Sequence, residues 1–124
     1  LGTIPIHVGG TSAPALRRAG RLGDGWMWHR PLRSRPATRE ETDADLRDLT
    51  AGRQVIEEHR RVAGREHLPF EVTAGLGDSL DDVAAAAAAG VDRFSCGPGA
   101  VGKGGFIDWI KRFADDVISE SNGA

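Results

Sequence analysis

An apolar strand, a double glycine, a helix and a second strand follow one another within residues 4–28, and this order constrains the fold more than any other feature of the chain. Ile4, Ile6 and Val8 make a run of strand length with β-branched residues. Gly9 and Gly10 let the backbone turn sharply and approach a ligand closely. Thr11 or Ser12 can cap a helix that begins near Ala13, and Pro14 suits its first turn. Ala15, Leu16, Ala19 and Leu22 recur at spacings that line one side of that helix, and Gly20 or Gly23 ends it. Asp24 to Trp28 then reads as the second strand. Strands joined through a helix lie parallel, with a right-handed crossover.

The alternation continues to the end of the chain. His29 to Thr38 is a loop, and Thr38 with Glu41 forms a capping box for a helix over 39–62. Leu46, Leu49, Val55, Ile56 and Val62 are its apolar residues, and Gly64 and Arg65 end it. Leu68 to Ala74 is the third strand. Ser79 caps a helix from Leu80 to Ala89 that contains six consecutive alanines, strong helix formers that also allow close packing. Val91 to Cys96 is the fourth strand, Gly97 to Gly105 a glycine-rich loop, and Phe106 to Ile118 the last helix. Phe106, Ile107, Ile110, Phe113, Ala114 and Val117 mark that helix's apolar side, and Ser119 to Ala124 reads as frayed. Four βα units imply an α/β fold with a parallel sheet in a single domain, residues 1–124. A faint repeat supports this: Ala19-Gly20 precedes Asp24 and the second strand, and Ala89-Gly90 precedes Asp92 and the fourth. An open doubly wound sheet fits the same alternation.

The wording of the first unit adds to its pattern. Val8-Gly9-Gly10-Thr11-Ser12, an alanine-rich basic helix, and then Arg21-Leu22-Gly23-Asp24-Gly25-Trp26 resemble the luciferase-like oxidoreductases, TIM barrels that use flavin or deazaflavin. The resemblance is closest over residues 4–28 and continues loosely to about residue 118, through Ala89 to Asp92. It implies that the four units are strands five to eight of a (β/α)₈ barrel, its C-terminal half. An intact barrel runs to about 250 residues, and this chain has 124 and opens on Leu1. The resemblance further implies an oxidoreductase, monooxygenase-like, using reduced FMN or the deazaflavin coenzyme F-420 on a small organic substrate. It assigns Gly9, Gly10, Thr11 and Ser12 as cofactor contacts, residue by residue, in the turn that meets the cofactor and its phosphate. The free N–H groups of a helix start attract an anion in any case. Most catalytic groups of the family lie on strands one to four, so no catalytic residue is assigned here.

A half barrel leaves two strand edges unpaired and one sheet face uncovered, and open edges promote association. The expected partner is a second copy or the N-terminal half of the barrel. The rival reading is a non-enzymatic half-barrel module that binds phosphate or flavin and self-associates. Trp26 and Trp28 alternate along the second strand and share a face. Trp28 and His29, nearest its C-terminal end, are the candidate substrate contacts. His7 lies two residues before Gly9, beneath the cofactor or hydrogen-bonded in the core, while His59 and His67 read as solvated. Gly97 to Lys103 is one residue short of a P-loop, since Gly104 stands where a Ser or Thr would hold magnesium. Lys103 can meet phosphate in a loop after a last barrel strand. Asp24 and Asp92 start strands, where residues serve stability.

A net charge of −2 supplies no electrostatic reason to bind nucleic acid or an anionic membrane. No apolar run approaches the roughly 18 residues of a membrane span, and no signal-peptide pattern is seen, so a cytoplasmic location is expected. Cys96 is the single cysteine, which excludes an intrachain disulfide, and no histidine pair has the spacing of a metal site.

Overall fold

A computed structural model describes residues 3–31, 37–77, 79–97 and 103–123. Strands β1 (His7–Gly9), β2 (Gly25–His29), β3 (Glu71–Gly75) and β4 (Arg93–Phe94) alternate with helices α1 (Ala13–Leu22), α2 (Arg39–Val62), α3 (Leu80–Ala88) and α4 (Lys103–Phe113). From α4 the chain passes through a π-helical turn, Ala114–Ile118, into α5 (Ser119–Gly123), so the end expected to fray is helical. Every strand pair is parallel, and the order is β1-β2-β3-β4. The fold is therefore α/β with a four-stranded parallel sheet, wound in sequence and without the reversal of strand order that marks a doubly wound sheet.

Alternation along the strands separates two faces. Val8, Trp26, Trp28, Val72, Ala74 and Phe94 point to one side, where they pack with Leu16 and Ala19 of α1, Leu49 and Ile56 of α2, and Ala86 of α3. His7, Gly25 and Glu71 share a register row on the other side, and Gly9, Met27, Thr73 and Arg93 form the next. On that second face Met27, His29 and Arg93 are exposed. The strands begin later than the apolar runs suggest. Ile4 and Ile6 are exposed and precede β1, because pairing starts only where His7 meets Gly25.

Helix α1 ends at Gly23, whose N–H donates to the Ala19 carbonyl at 3.1 Å. Gly20 does not end it. It is buried inside the helix at the crossing with α2, where an added Cβ would lie 2.5 Å from the His59 Cβ and 2.7 Å from the Ile56 carbonyl oxygen. Leu22, expected on the apolar side, is exposed. The buried stripe of α2 is Asp45, Leu49, Gly52, Ile56 and Arg60, a helical spacing throughout. Val55 and Val62, expected on it, are exposed. Arg60 is fully covered: its Nη2 donates to the carbonyls of Arg65 (2.9 Å) and Leu68 (2.6 Å), and its guanidinium lies 4.5 Å over the Phe70 ring. It thereby ties the end of α2 to the approach to β3. Of the apolar residues of the last helix, Val117 is buried with Trp109, whereas Phe106, Ile107 and Ile110 are about half exposed.

The repeated aspartates do the same work twice. The Asp24 N–H donates to the Ile6 carbonyl at 2.7 Å, and its carboxylate accepts from the Ile6 N–H at 2.9 Å. The Asp92 N–H donates to the Val72 carbonyl at 2.9 Å, and its carboxylate accepts from the Val72 N–H at 2.8 Å. Each aspartate grips both backbone groups of one residue, Ile6 just ahead of β1 and Val72 within β3. Val72 is 2% exposed and Ile6 61%. Leaving a buried donor unsatisfied costs about 1–3 kcal/mol, whereas an exposed one turns to water. Asp92→Ala is therefore expected to destabilise the fold by about 1–3 kcal/mol and Asp24→Ala by less. Urea unfolding of the two variants compares them; an equal or greater loss at Asp24 contradicts the assignment to burial.

Candidate functional site

The turn from β1 to α1 lies at the C-terminal edge of the sheet, where parallel α/β folds place their ligands. Gly9 closes the strand. Gly10 has φ of +102°, a conformation that a side chain opposes, and a Cβ there would sit 3.2 Å from that of Ala15. Ser12 is the helix cap: its Oγ accepts from the Ala15 N–H at 3.4 Å, and its carbonyl accepts from the Leu16 N–H at 3.0 Å. Pro14 carries no N–H. Of the first-turn donors, this leaves the amides of Ser12 and Ala13 without an intrahelical partner. Gly9, Gly10, Thr11 and Ser12 are all exposed. The turn is held from below by Trp26, whose indole Nε1–H donates to the Gly10 carbonyl at 2.9 Å.

One strand over, His29 ends β2 on the same face as Gly9 and Met27, and it is exposed. Trp28 is on the opposite face. It is 2% exposed, and its Nε1–H donates to Asp48 Oδ2 of α2 at 2.9 Å. The structure thus brings His29 to the edge beside the turn and sets Trp28 into the core behind it; side-chain alternation forces neighbours on a strand apart. Trp26 lies on the core side with Trp28, as their spacing requires. After β2, Arg30 donates to Asp45 Oδ2 at 2.7 Å through Nε and to Thr42 Oγ1 at 3.0 Å through Nη2. Asp45 is 5% exposed, so this pair fastens the loop to the first turns of α2 from within.

His7 does not join the core. Its Nε2 lies 3.9 Å from Glu71 Oε1, across Gly25, where an added Cβ would meet the imidazole at 2.8 Å. Arg93 Nη2 reaches the same carboxylate at 3.2 Å. His7 and Glu71 share the row at the N-terminal end of the sheet's open face, two residues before Gly9, and Arg93 reaches their row from the next one on β4. His67 is exposed and His59 half-buried against α1. Cys96 is partly buried just past β4. The glycine-rich loop lies outside the described residues over 98–102, and Lys103 is the first residue of α4. Residues 32–36 of the loop after β2 are likewise outside them.

Among the described residues no group of three or more His, Cys, Asp and Glu side chains is placed to hold a metal ion, and no helix is long and apolar enough to cross a membrane. Sequence reasoning did not find the Trp26–Gly10, Trp28–Asp48 or Arg30–Asp45 bonds, which join residues 16, 20 and 15 positions apart. Polar residues at helical spacing in α2, Asp45 beside Leu49 and Gly52, were the one available signal. The fold is a parallel α/β unit whose β1–α1 turn lies exposed at the C-terminal edge of the sheet. In comparisons with known proteins, no family model, curated protein or solved structure matches the chain.

Proposed function

We propose that this chain is the C-terminal half of a luciferase-like (β/α)₈ oxidoreductase, in which the Gly9–Ser12 turn holds the phosphate of reduced FMN or coenzyme F-420. The observation that carries the reading is the turn itself: a positive-φ glycine and a capped helix start at the C-terminal end of a strand, in a parallel sheet wound in sequence. Sequential winding is how a barrel continues from strand to strand. The motif resemblance over residues 4–28 supplies the family and its two cofactors.

Each residue then has a task. The amides of Thr11, Ser12 and Ala13 receive the phosphate, and the positive end of the α1 dipole favours its charge. His29 contacts the small organic substrate beside the ring, and Trp28 backs it from the core. The bound cofactor supplies oxygen activation if it is FMN and hydride transfer if it is the deazaflavin; the protein orients the ring and excludes water. The partner of the open sheet is the barrel's N-terminal half. Supporting this, the large exposed apolar groups include Ile4 and Ile6 before the β1 edge and Phe106, Ile107 and Ile110 after the β4 edge. The same edges favour a second reading, a self-associating module that binds phosphate or flavin without catalysis.

A fluorescence titration of the purified chain with FMN, and separately with coenzyme F-420, tests the site. Saturable binding of one is expected. Folded protein that takes up neither would sink the proposal that this half holds the phosphate. Sizing separates the second reading, which requires a defined dimer.

A further inference from the structure

We infer that, for the chain by itself, a second copy covers the open face of the sheet, with β4 of each copy joining β1 of the other to close one eight-stranded barrel. The inference rests on the self-associating reading and is independent of the phosphate site. Helices α1, α2 and α3 pack on the face that carries Trp26 and Trp28. The opposite face has Met27 at its centre, between Gly9 and Thr73, and Met27 is 37% exposed. A wholly parallel sheet is found almost only with both faces covered. Whatever covers this one must also meet two edges, because the order β1-β2-β3-β4 leaves the outer sides of β1 and β4 without a neighbour among the described strands.

Three observations favour a second copy. The first is the strand order. A sheet wound in sequence ends on β4, where the next strand of a barrel must be parallel to it, and β1 of another copy is such a strand. A two-fold axis then makes two identical seams, and four strands taken twice are the eight of a closed βα barrel. The second is the way the sheet already grows. Asp24, just ahead of β2, fastens Ile6, and Asp92, just ahead of β4, fastens Val72 with the same pair of backbone bonds. The chain thus uses one two-strand unit twice, and a second copy repeats it again. The third is charge. On the open face Arg93 lies 3.2 Å from Glu71, and His7 lies 3.9 Å from the same carboxylate. The Arg93 and Glu71 charges cancel within each copy, so two such faces meet without net repulsion and without an unpaired buried charge. The seams have apolar groups to bury as well: Ile4 and Ile6 ahead of β1, and Ile107 and Ile110 after β4, are all exposed.

Analytical ultracentrifugation of the full chain tests this, with Met27→Arg on the open face and Val62→Arg, at an exposed position ending α2, as the control. The unaltered chain is expected to be a dimer. Met27→Arg is expected to weaken that dimer about a hundredfold or more, as an unpaired charge enclosed at an interface requires. Val62→Arg is expected to leave it within about twofold, as an exposed substitution does. Amide exchange at low and high protein concentration reads the seam. The backbone groups of Ile6 face Asp24, so alternation turns those of His7 and Gly9 to the free edge. Their amides are expected to exchange about tenfold more slowly in the dimer, the effect of one hydrogen bond gained. A folded chain that stays monomeric at every concentration overturns both this inference and the self-associating reading. A dimer that Met27→Arg leaves intact, or whose His7 and Gly9 amides exchange as fast as in the monomer, keeps self-association and overturns the closed barrel. Should Met27→Arg not fold, the exchange comparison on the unaltered chain decides alone.

Discussion

Gly10→Val is expected to reduce cofactor binding about a hundredfold or more while leaving most of the chain folded. Valine at φ of +102° is a genuine outlier, and its Cβ would also press on Ala15 at 3.2 Å. Backbone strain of this kind costs about 1–3 kcal/mol, which the turn relieves by moving. Once it moves, the amides of Thr11, Ser12 and Ala13 lose the placement that the proposed phosphate contact needs. Two lost hydrogen bonds to a charged group, at about 1.5 kcal/mol or more each, amount to that factor. Gly64→Val is the control, because Gly64 also has a positive φ, of +68°, with open space around an added Cβ, but lies past the end of α2 and outside the turn. The two variants are compared by FMN titration and thermal unfolding. Wild-type affinity in Gly10→Val would show that the turn does not hold the ligand.

Gly20→Leu is expected to destabilise the protein by about 3 kcal/mol or more, the upper end of the range for overpacking. The Cβ alone would lie 2.5 Å from the His59 Cβ and 2.7 Å from the Ile56 carbonyl oxygen. A backbone atom cannot swing away as a side chain can, so α1 must lift from α2. Lifting exposes Leu16 and Ala19, which are buried beneath the crossing. A loss of that size is a large share of a stability of roughly 5–15 kcal/mol. Leu22→Ala, at an exposed position two residues on, should change stability by no more than about 0.5 kcal/mol. Urea unfolding followed by far-ultraviolet circular dichroism measures both. A Gly20→Leu chain as stable as its parent would contradict the close crossing.

Gly20 also shows where sequence reasoning stops. A glycine near a helix end reads as a terminator, yet here Gly23 ends the helix and Gly20 admits α2. Hydropathy misplaced α2 in a similar way. Val55 and Val62 look like core and are exposed, while Asp45, Gly52 and Arg60 look like surface and are buried. Their burial depends on partners remote in the chain: Arg30 for Asp45, the Trp26 ring for Gly52, and the Leu68 carbonyl for Arg60. No local pattern carries that information.

What the amino-acid order determined by itself was local and periodic. The four βα units, a cap at Thr11 or Ser12, the Thr38 and Ser79 caps and the Gly10 turn follow from side-chain spacing, cap chemistry and backbone sterics within a few residues. The recurrence of Asp24 and Asp92 was visible too, though not what they grip. The tertiary structure alone decided the sequential strand order, which sheet face the helices cover, and the bond from Trp26 that holds the turn. These depend on which distant surfaces meet, and in a chain that alternates strand and helix the same spacing fits more than one way of meeting.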